Sequence, residues 1–387
     1  MHGRTTHLVW RAGAVMVALL AWSIAAAETL PQMTYTPVVP GIAYAEARIA
    51  EGTLDDSAHE IRVLRVLRDE PTVTLDAAAA FGIIPGVATL TRIIEREAGR
   101  GDRIVAAVNA DFFRMSGQTQ EGLMSGTMVS GGELVRVGRQ QGCFWLTDDG
   151  VPGIGVLRIG GEVRSGDWVA PIAGVNGDAA EAGVTLYTAA WGWPVQGPCA
   201  VAALGAGPLR TQGQCTARVT RRLRANQSRV PQGDEVFIVA RGDAAVGAAD
   251  LHKADEVSLD MGATGLTSPV RMAVGGSVVL VSNGIVVATE RAASDRQHPR
   301  TAVGYNDNEI LLFTCDGRQP DWSVGLYLDQ MAVVLQALGC TEALNLDGGG
   351  STTMIVDGRV ANRPSGGIQR MISNAVLVRS SAGAGGL

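Results

Sequence analysis

A chain of 387 residues, 46% hydrophobic and 18% charged, has the apolar mass for a large core and lacks the composition of a disordered protein. Its formal charge of −6, with Lys253 the single lysine among 32 basic residues, argues against nucleic acid as a partner. Five cysteines without a CxxC or Cys/His spacing give no sign of structural zinc.

Residues 1–27 read as a secretory signal: Arg4 and Arg11 make a basic start, Ala12–Ala27 is apolar, and Ala25-Ala26-Ala27 offers a small-residue cleavage site. The mature chain is expected to begin near Glu28 and to act in the periplasm or outside the cell. The apolar run is shorter than the ~20 residues that span a bilayer, so no stable membrane insertion is expected after cleavage. Cleavage removes two arginines and no acid, which takes the formal charge to −8. Residues 28–387 are then expected to form one domain, with its core over about residues 40–380. Export permits disulfides. The expected pairs are Cys199 with Cys215 and Cys315 with Cys340, leaving Cys143 as a buried thiol in Cys143-Phe144-Trp145-Leu146.

Short β-type runs separated by Gly, Asn and Asp dominate the chain, and two segments have helical period. The first covers Val87 to Ala98, with Val87, Leu90, Ile94 and Ala98 on one face, and leads into a buried strand from Ile104 to Val108. That strand ends in Asn109-Ala110-Asp111 and turns through Phe112 and Phe113. Asn109 and Asp111 are candidates for holding sugar hydroxyls or a metal; the two aromatics are core or pocket wall. Hairpins are signalled by Asn283-Gly284 and Asp357-Gly358.

In His298-Pro-Arg-Thr-Ala-Val-Gly304, Pro299 keeps the chain extended and Arg300 enters a buried strand, where an unpaired guanidinium is costly. The second helix runs from about Gly325 to Leu338: Leu328, Met331, Leu335 and Leu338 share a face, Ser323 is the expected cap, and Gly339 ends it. Strands from Ile310 to Cys315 and from Ala343 to Leu346 flank it. This order reads as a βαβ unit, which places Asp316 and Asp347 on one sheet edge. The expected fold class is therefore α+β: a mixed, sheet-rich single domain with a C-terminal βαβ unit carrying the site. After Asp347 come Gly348-Gly349-Gly350, which let the backbone approach a ligand and expose N–H groups, then Ser351 with its hydroxyl.

Together, Asn109-Ala-Asp-Phe-Phe-Arg-Met115, Pro299-Arg-Thr-Ala-Val-Gly304, Asp316-Gly-Arg318, Asn345-Leu-Asp-Gly-Gly-Gly-Ser351, Asn362-Arg-Pro-Ser365 and Ser373-Asn-Ala-Val376 resemble the phosphodiester glycosidase family in order and spacing. The resemblance spans most of the mature chain and implies a sugar-phosphodiester substrate. It implies a catalytic set of Asp347, Asp316 and Arg300, with Asn109, Asp111, Arg114, Thr301, Arg318, Asn345, Gly348, Gly349, Gly350, Ser351 and Ser365 around the substrate. Asp111 stands where many relatives have glycine, which makes Asn109 the stronger candidate.

A phosphomonoester leaves more readily than a sugar alkoxide, so cleavage at C1 needs less acid assistance than ordinary glycoside hydrolysis. What remains is a carboxylate acting at C1, Asp347 or Asp316, and donors for the departing phosphate from Arg300, Arg318 and the glycine amides. Attack at phosphorus is the other route and more often uses a metal; the oxygen-rich donor set admits Ca²⁺ or Mg²⁺ and requires neither. The expected function is thus an exported hydrolase of an envelope or exopolysaccharide sugar-1-phosphodiester. The alternative is a non-catalytic module that binds such sugars.

Overall fold

The structure, a computed structural model, describes residues 30–204, 207–289, 291 and 295–382. The expected signal segment lies outside the described residues. Among the described residues three helices accompany a large set of strands: α1 (Leu90–Glu97), α2 (Ala244–Ala249) and α3 (Leu328–Ala337). Among these residues no helix is long and apolar enough to cross a membrane.

The central layer is an eight-stranded sheet that includes, in spatial order, His59–Leu67, Glu309–Cys315, Arg300–Tyr305, Glu342–Asn345 and Val279–Ser282. Glu309–Cys315 is buried at all seven positions, as a strand covered on both faces must be. One face carries α3, whose Met331 and Leu335 pack with Ile61, Val63, Phe313 and Ala343. The opposite face joins Leu64, Leu312, Val303 and Leu344 to Val108, Met354, Val376 and Val378 of a five-stranded sheet. That sheet contains Met354–Val356, Arg103–Asn109, Asn374–Ser380 and Val73–Ala79. A second five-stranded sheet includes Glu133–Arg136, Met128–Ser130 and Val270–Gly275.

Seven further strands close into a barrel: Ile159–Ser165, Trp168–Val175, Gly183–Tyr187, Glu235–Arg241, Cys199–Leu204, Gly213–Leu223 and Glu256–Ala263. Its interior mixes small and branched side chains, among them Val163, Ala170, Val184, Leu186, Ala202, Val219, Ile238 and Leu259. Such graded sizes fill a narrow barrel without voids.

The α+β expectation is overturned by these sheets. The fold is β-dominated with a closed barrel, and among the described residues there is no βαβ unit. Glu309–Cys315 and Glu342–Asn345 are not neighbours, because Arg300–Tyr305 lies between them and is antiparallel to both. Hydrophobic period reports the order of elements but not that the preceding strand, Arg300–Tyr305, folds back to fill the gap. The edge relationship survives for a different reason: two strands antiparallel to a common neighbour run in the same direction. Arg300 faces Cys315 in the register, and Ala302 faces Asn345.

The helix ends differ in detail. Tyr327, not Ser323, precedes α3, and its N–H donates to Gln330 Oε1 at 3.0 Å. Ser323 instead donates its hydroxyl to Asp316 O at 2.7 Å. Gly339 follows the helix with φ +93°, the left-handed turn that glycine adopts readily. Both hairpin turns form as expected, with left-handed Asn283-Gly284 and Asp357-Gly358.

All five cysteines are free. Cys199 pairs with Leu223 at one end of a hairpin, whereas Cys215 lies past Ala217 at the other end, roughly 20 Å away along the strands. The Cys340 sulfur lies against Gly304, whose register partner Leu311 is four positions from Cys315, roughly 13 Å. Both separations are too large for a disulfide.

Candidate active site

The segment after Glu342–Asn345 leaves one sheet and enters another. Leu346 donates its N–H to Thr301 O (2.9 Å), and Asp347 donates its N–H to Ala110 O (2.8 Å), at the end of the strand Arg103–Asn109. The chain then turns and Met354 pairs with Val108. Asp347 therefore sits at the seam of two sheets. Two of the three glycines have definite causes. A side chain at Gly348 would meet the Pro299 carbonyl at 2.7 Å; Gly349 has φ +61° and donates its N–H to that carbonyl at 2.7 Å.

Asn109 fixes this seam. Its Nδ2 donates to Asp347 O (2.5 Å), while its Oδ1 accepts from Thr301 Oγ1 (2.8 Å) and the Thr353 N–H (3.1 Å). One side chain thereby ties together three segments far apart in sequence. Both ends of its amide are engaged by the protein.

The Asp347 carboxyl faces a cationic mouth. Burial pushes its pKa up to about 6, against the pull of Ser351, Arg370, the Gly348 amide and Arg318. Neither guanidinium closes on it as an ion pair among the described residues. Arg318, itself at φ +60°, lies against Gly349 and within 3.4 Å of His298 Nδ1. Arg370 stands over the Phe113 ring, 5.8 Å to its centroid, with Nη2 2.9 Å from Met115 Sδ and its stem beside Gly350.

A second carboxyl lies deeper. Asp111 is 2% exposed; its Oδ2 accepts from the Gly126 N–H at 2.7 Å, and its Oδ1 is buried without a partner. Burial pushes its pKa up to about 7; the Gly126 amide and Arg136 oppose the rise, and the charge of Asp347 adds to it. Asn345 shares the unfinished character: Nδ2 donates to Ser277 Oγ at 2.8 Å, and Oδ1 has no partner.

The other expected site residues are placed as follows. Asp316 is fully buried, and both oxygens are engaged: Oδ2 by Arg62 (2.7 Å) and Trp322 Nε1 (2.9 Å), Oδ1 by the Arg363 N–H (2.9 Å) and Asn362 Nδ2 (3.2 Å). Arg300 is likewise committed, to Asp295 (2.7 Å) and to the carbonyls of Leu326 (2.8 Å) and Arg296 (2.8 Å). Thr301 serves Asn109. Arg114 pairs with Asp178 and Gln120 on the far side of Phe113. Ser365 lies in the turn closed by Gly367 N–H to Pro364 O, and no hydrogen bond joins it to Asp347.

The structure thus gathers Asp347, Arg318, Gly348 to Gly350, Ser351 and, beneath them, Asn109, Thr301, Asn345 and Asp111. Arg370 was not anticipated from sequence. It stands in a loop without period, in a chain where arginine is the ordinary surface cation. Its one sequence signal is position, between the Asn362 and Ser373 motifs. Among the described residues no group of three His, Cys, Asp or Glu side chains is placed to hold a metal ion.

The family model for phosphodiester glycosidases matches residues 201–379. The match includes the Asp347 turn, Arg318 and Arg370, but neither Asn109 nor Asp111. N-acetylglucosamine-1-phosphodiester alpha-N-acetylglucosaminidase of Mus musculus is 38% identical over 87 residues, 20% of this chain and 16% of that protein. SPbeta prophage-derived uncharacterized protein YomE of Bacillus subtilis (strain 168) is 35% identical over 83 residues, 21% of this chain and 13% of that protein. The chain therefore spans less than a fifth of the length of either relative. A crystal structure of a hypothetical protein from Synechocystis shares the fold, with a TM-score of 0.70 at 20% identity over 90% of this chain and 64% of that one.

Proposed function

We propose, for a chain whose residues 201–379 match the family model for phosphodiester glycosidases, that it is an exported hydrolase of sugar-1-phosphodiesters, with Asp347 acting at C1. The observation that carries this reading is an unpaired carboxyl set beside a glycine turn and within the field of Arg318 and Arg370. A carboxylate alone suits many tasks. A carboxylate between two guanidiniums that have no carboxylate partner suits a substrate whose leaving group is itself an anion.

Phosphate departing from C1 carries its own negative charge, so the site needs donors for oxygen more than a strong acid. Arg318 and Arg370 supply them. With a pKa near 6, Asp347 is mostly ionised at neutral pH, as a base or nucleophile must be. The basic, apolar and small-residue pattern of residues 1–27 supports export, and with it an envelope or exopolysaccharide glycoconjugate as the source of substrate.

The test is a panel of sugar-1-phosphodiesters incubated with purified protein in ¹⁸O-water. Release of free sugar carrying the label, together with an unlabelled phosphomonoester, is expected. Label in the phosphate would place attack at phosphorus, and a diester bound but returned unchanged would make the protein a binding module; either result overturns the proposal.

A further inference from the structure

On the other flank of the Phe113-Arg114-Met115 ridge lies a cleft of about 230 Å³ that the mechanism above does not use. Phe113 and Met115 touch Arg370 on the Asp347 side, whereas Arg114 reaches across to Asp178. The cleft is lined by Arg114, Ser125, Arg136, Arg139, Gly177 and Asp178, drawn from the ridge, the second five-stranded sheet and the barrel. Three guanidiniums thus face one carboxylate. That carboxylate is already held by Arg114.

Arg136 is the informative member. It is 7% exposed, its Nε is buried without a hydrogen bond, and it has no ion-pair partner among the described residues; its Nη1 donates to Asn176 O at 2.6 Å. Burial pushes its pKa down to about 10, so it stays cationic at neutral pH. Asp111 lies behind it but forms no ion pair with it. Asp111 and Asp178 attract Arg136 without closing on it as ion pairs; a buried guanidinium that lacks a direct counter-ion is costly, and a fold that keeps one beside an open cleft gains from an anion brought there. Arg139 is exposed and makes no side-chain hydrogen bond or ion pair among the described residues. Its backbone N–H is held by Ser125 O at 2.8 Å, which fixes the base of its side chain at the cleft. The floor is closely packed, since a side chain at Gly138 would meet the Gly126 carbonyl at 2.1 Å.

We propose that this cleft is a phosphoryl-binding subsite distinct from the one beside Asp347, taking a second phosphate of a multiply phosphorylated glycan. A tetrahedral oxyanion presents acceptors in several directions, which suits Arg136, at the end of the strand Glu133–Arg136, together with Arg139 in the loop that follows it; Arg114 already shows the fork geometry on Asp178. The glycan as the source of that phosphate rests on the hydrolase reading, but occupancy of the cleft does not.

The experiment is calorimetric titration of the full-length purified protein with inorganic phosphate and with glucose 6-phosphate. Arg139→Gln, which removes no internal contact and should fold normally, and Arg136→Gln are each expected to weaken binding at least tenfold. Arg318→Gln combined with Arg370→Gln should leave one phosphate site intact. Wild-type affinity in both cleft variants, or complete loss of binding in the double variant at the mouth, would overturn the proposal. Glucuronate binding as tightly as glucose 6-phosphate would overturn the phosphoryl assignment. Binding is read without turnover, so absence of phosphodiester hydrolysis would sink the functional proposal while leaving this one standing.

Discussion

The side-chain amide of Asn109 donates to the main-chain carbonyl of Asp347 at 2.5 Å, joining residues 238 positions apart in the chain. The carboxylate that faces the mouth is thus held from behind by a strand of a different sheet. Asn109→Ala would leave a buried carbonyl, the Thr301 hydroxyl and the Thr353 N–H without their partner. The expected result is a loss of about 1–3 kcal/mol in stability and at least a tenfold fall in kcat, with KM little changed. Urea unfolding and steady-state kinetics on the folded protein check it. A stability loss with kcat intact would show that Asn109 supports the fold without positioning Asp347.

The arginines should divide into two kinds. Arg300 is committed to Asp295 and two carbonyls, so Arg300→Gln should lower stability by about 3–5 kcal/mol, leaving Asp295 without its cation. Arg318→Gln and Arg370→Gln should leave Tm nearly unchanged and reduce kcat/KM on phosphodiesters about 10- to 100-fold, while a neutral aryl glycoside is affected little. Equal losses on both substrates would argue against a phosphate role for the pair.

Asp111 gives a pH signature in stability. Its folded pKa is raised from an ordinary 3.8 to about 7, so the folded state binds this proton more tightly than the unfolded chain does. The resulting penalty is absent below about pH 4, grows as pH rises to about 7, and is constant above that. Asp111→Asn keeps the acceptor for Gly126 and removes the charge. It should therefore raise stability at pH 8 by on the order of 2–4 kcal/mol and change it little at pH 4. Thermal melts across this range decide the matter, and a variant less stable than wild type at pH 8 would contradict it.

Asp316 offers the complementary case. Asp316→Asn would remove the buried counter-charge of Arg62 and leave it the exposed Glu46 at 4.0 Å, at a cost of about 3–5 kcal/mol, while the surviving folded fraction should turn substrate over at near-normal rate. A fully stable but inactive variant would return Asp316 to the chemistry.

Much of the site was legible in sequence because its pieces are local. The apolar strand before Asp347, the glycine run after it and the face of α3 all follow from near neighbours along the chain. Long-range pairing was not legible. Nothing in Arg300–Tyr305 announces that it separates the strands on either side of α3, and the barrel closes through partners as distant as Ile159–Ser165 and Glu256–Ala263. The bond of Asp316 to Arg62, 254 positions away, was hidden for the same reason, whereas Asp295, five positions from Arg300, lies in a loop that carries no periodic signal. Residue type identifies a charge, but only the fold shows whether Asp295 or Arg62 already occupies it. Arg370 is the converse, an ordinary loop arginine that tertiary structure brings to Asp347.

If the Asp347 carboxylate acts at the scissile bond, its isostere should suppress turnover while leaving the fold intact. Asp347→Asn keeps the shape and the main-chain bonds to Ala110 and Asn109 while removing the charge. Turnover of a cleaved sugar-1-phosphodiester should fall on the order of 10²-fold or more with Tm unchanged or raised, and the wild-type rate should climb with pH through about 6 as the carboxylate ionises. A folded Asp347→Asn protein with near-normal turnover, or a wild-type profile flat across pH 5 to 7, would contradict the account.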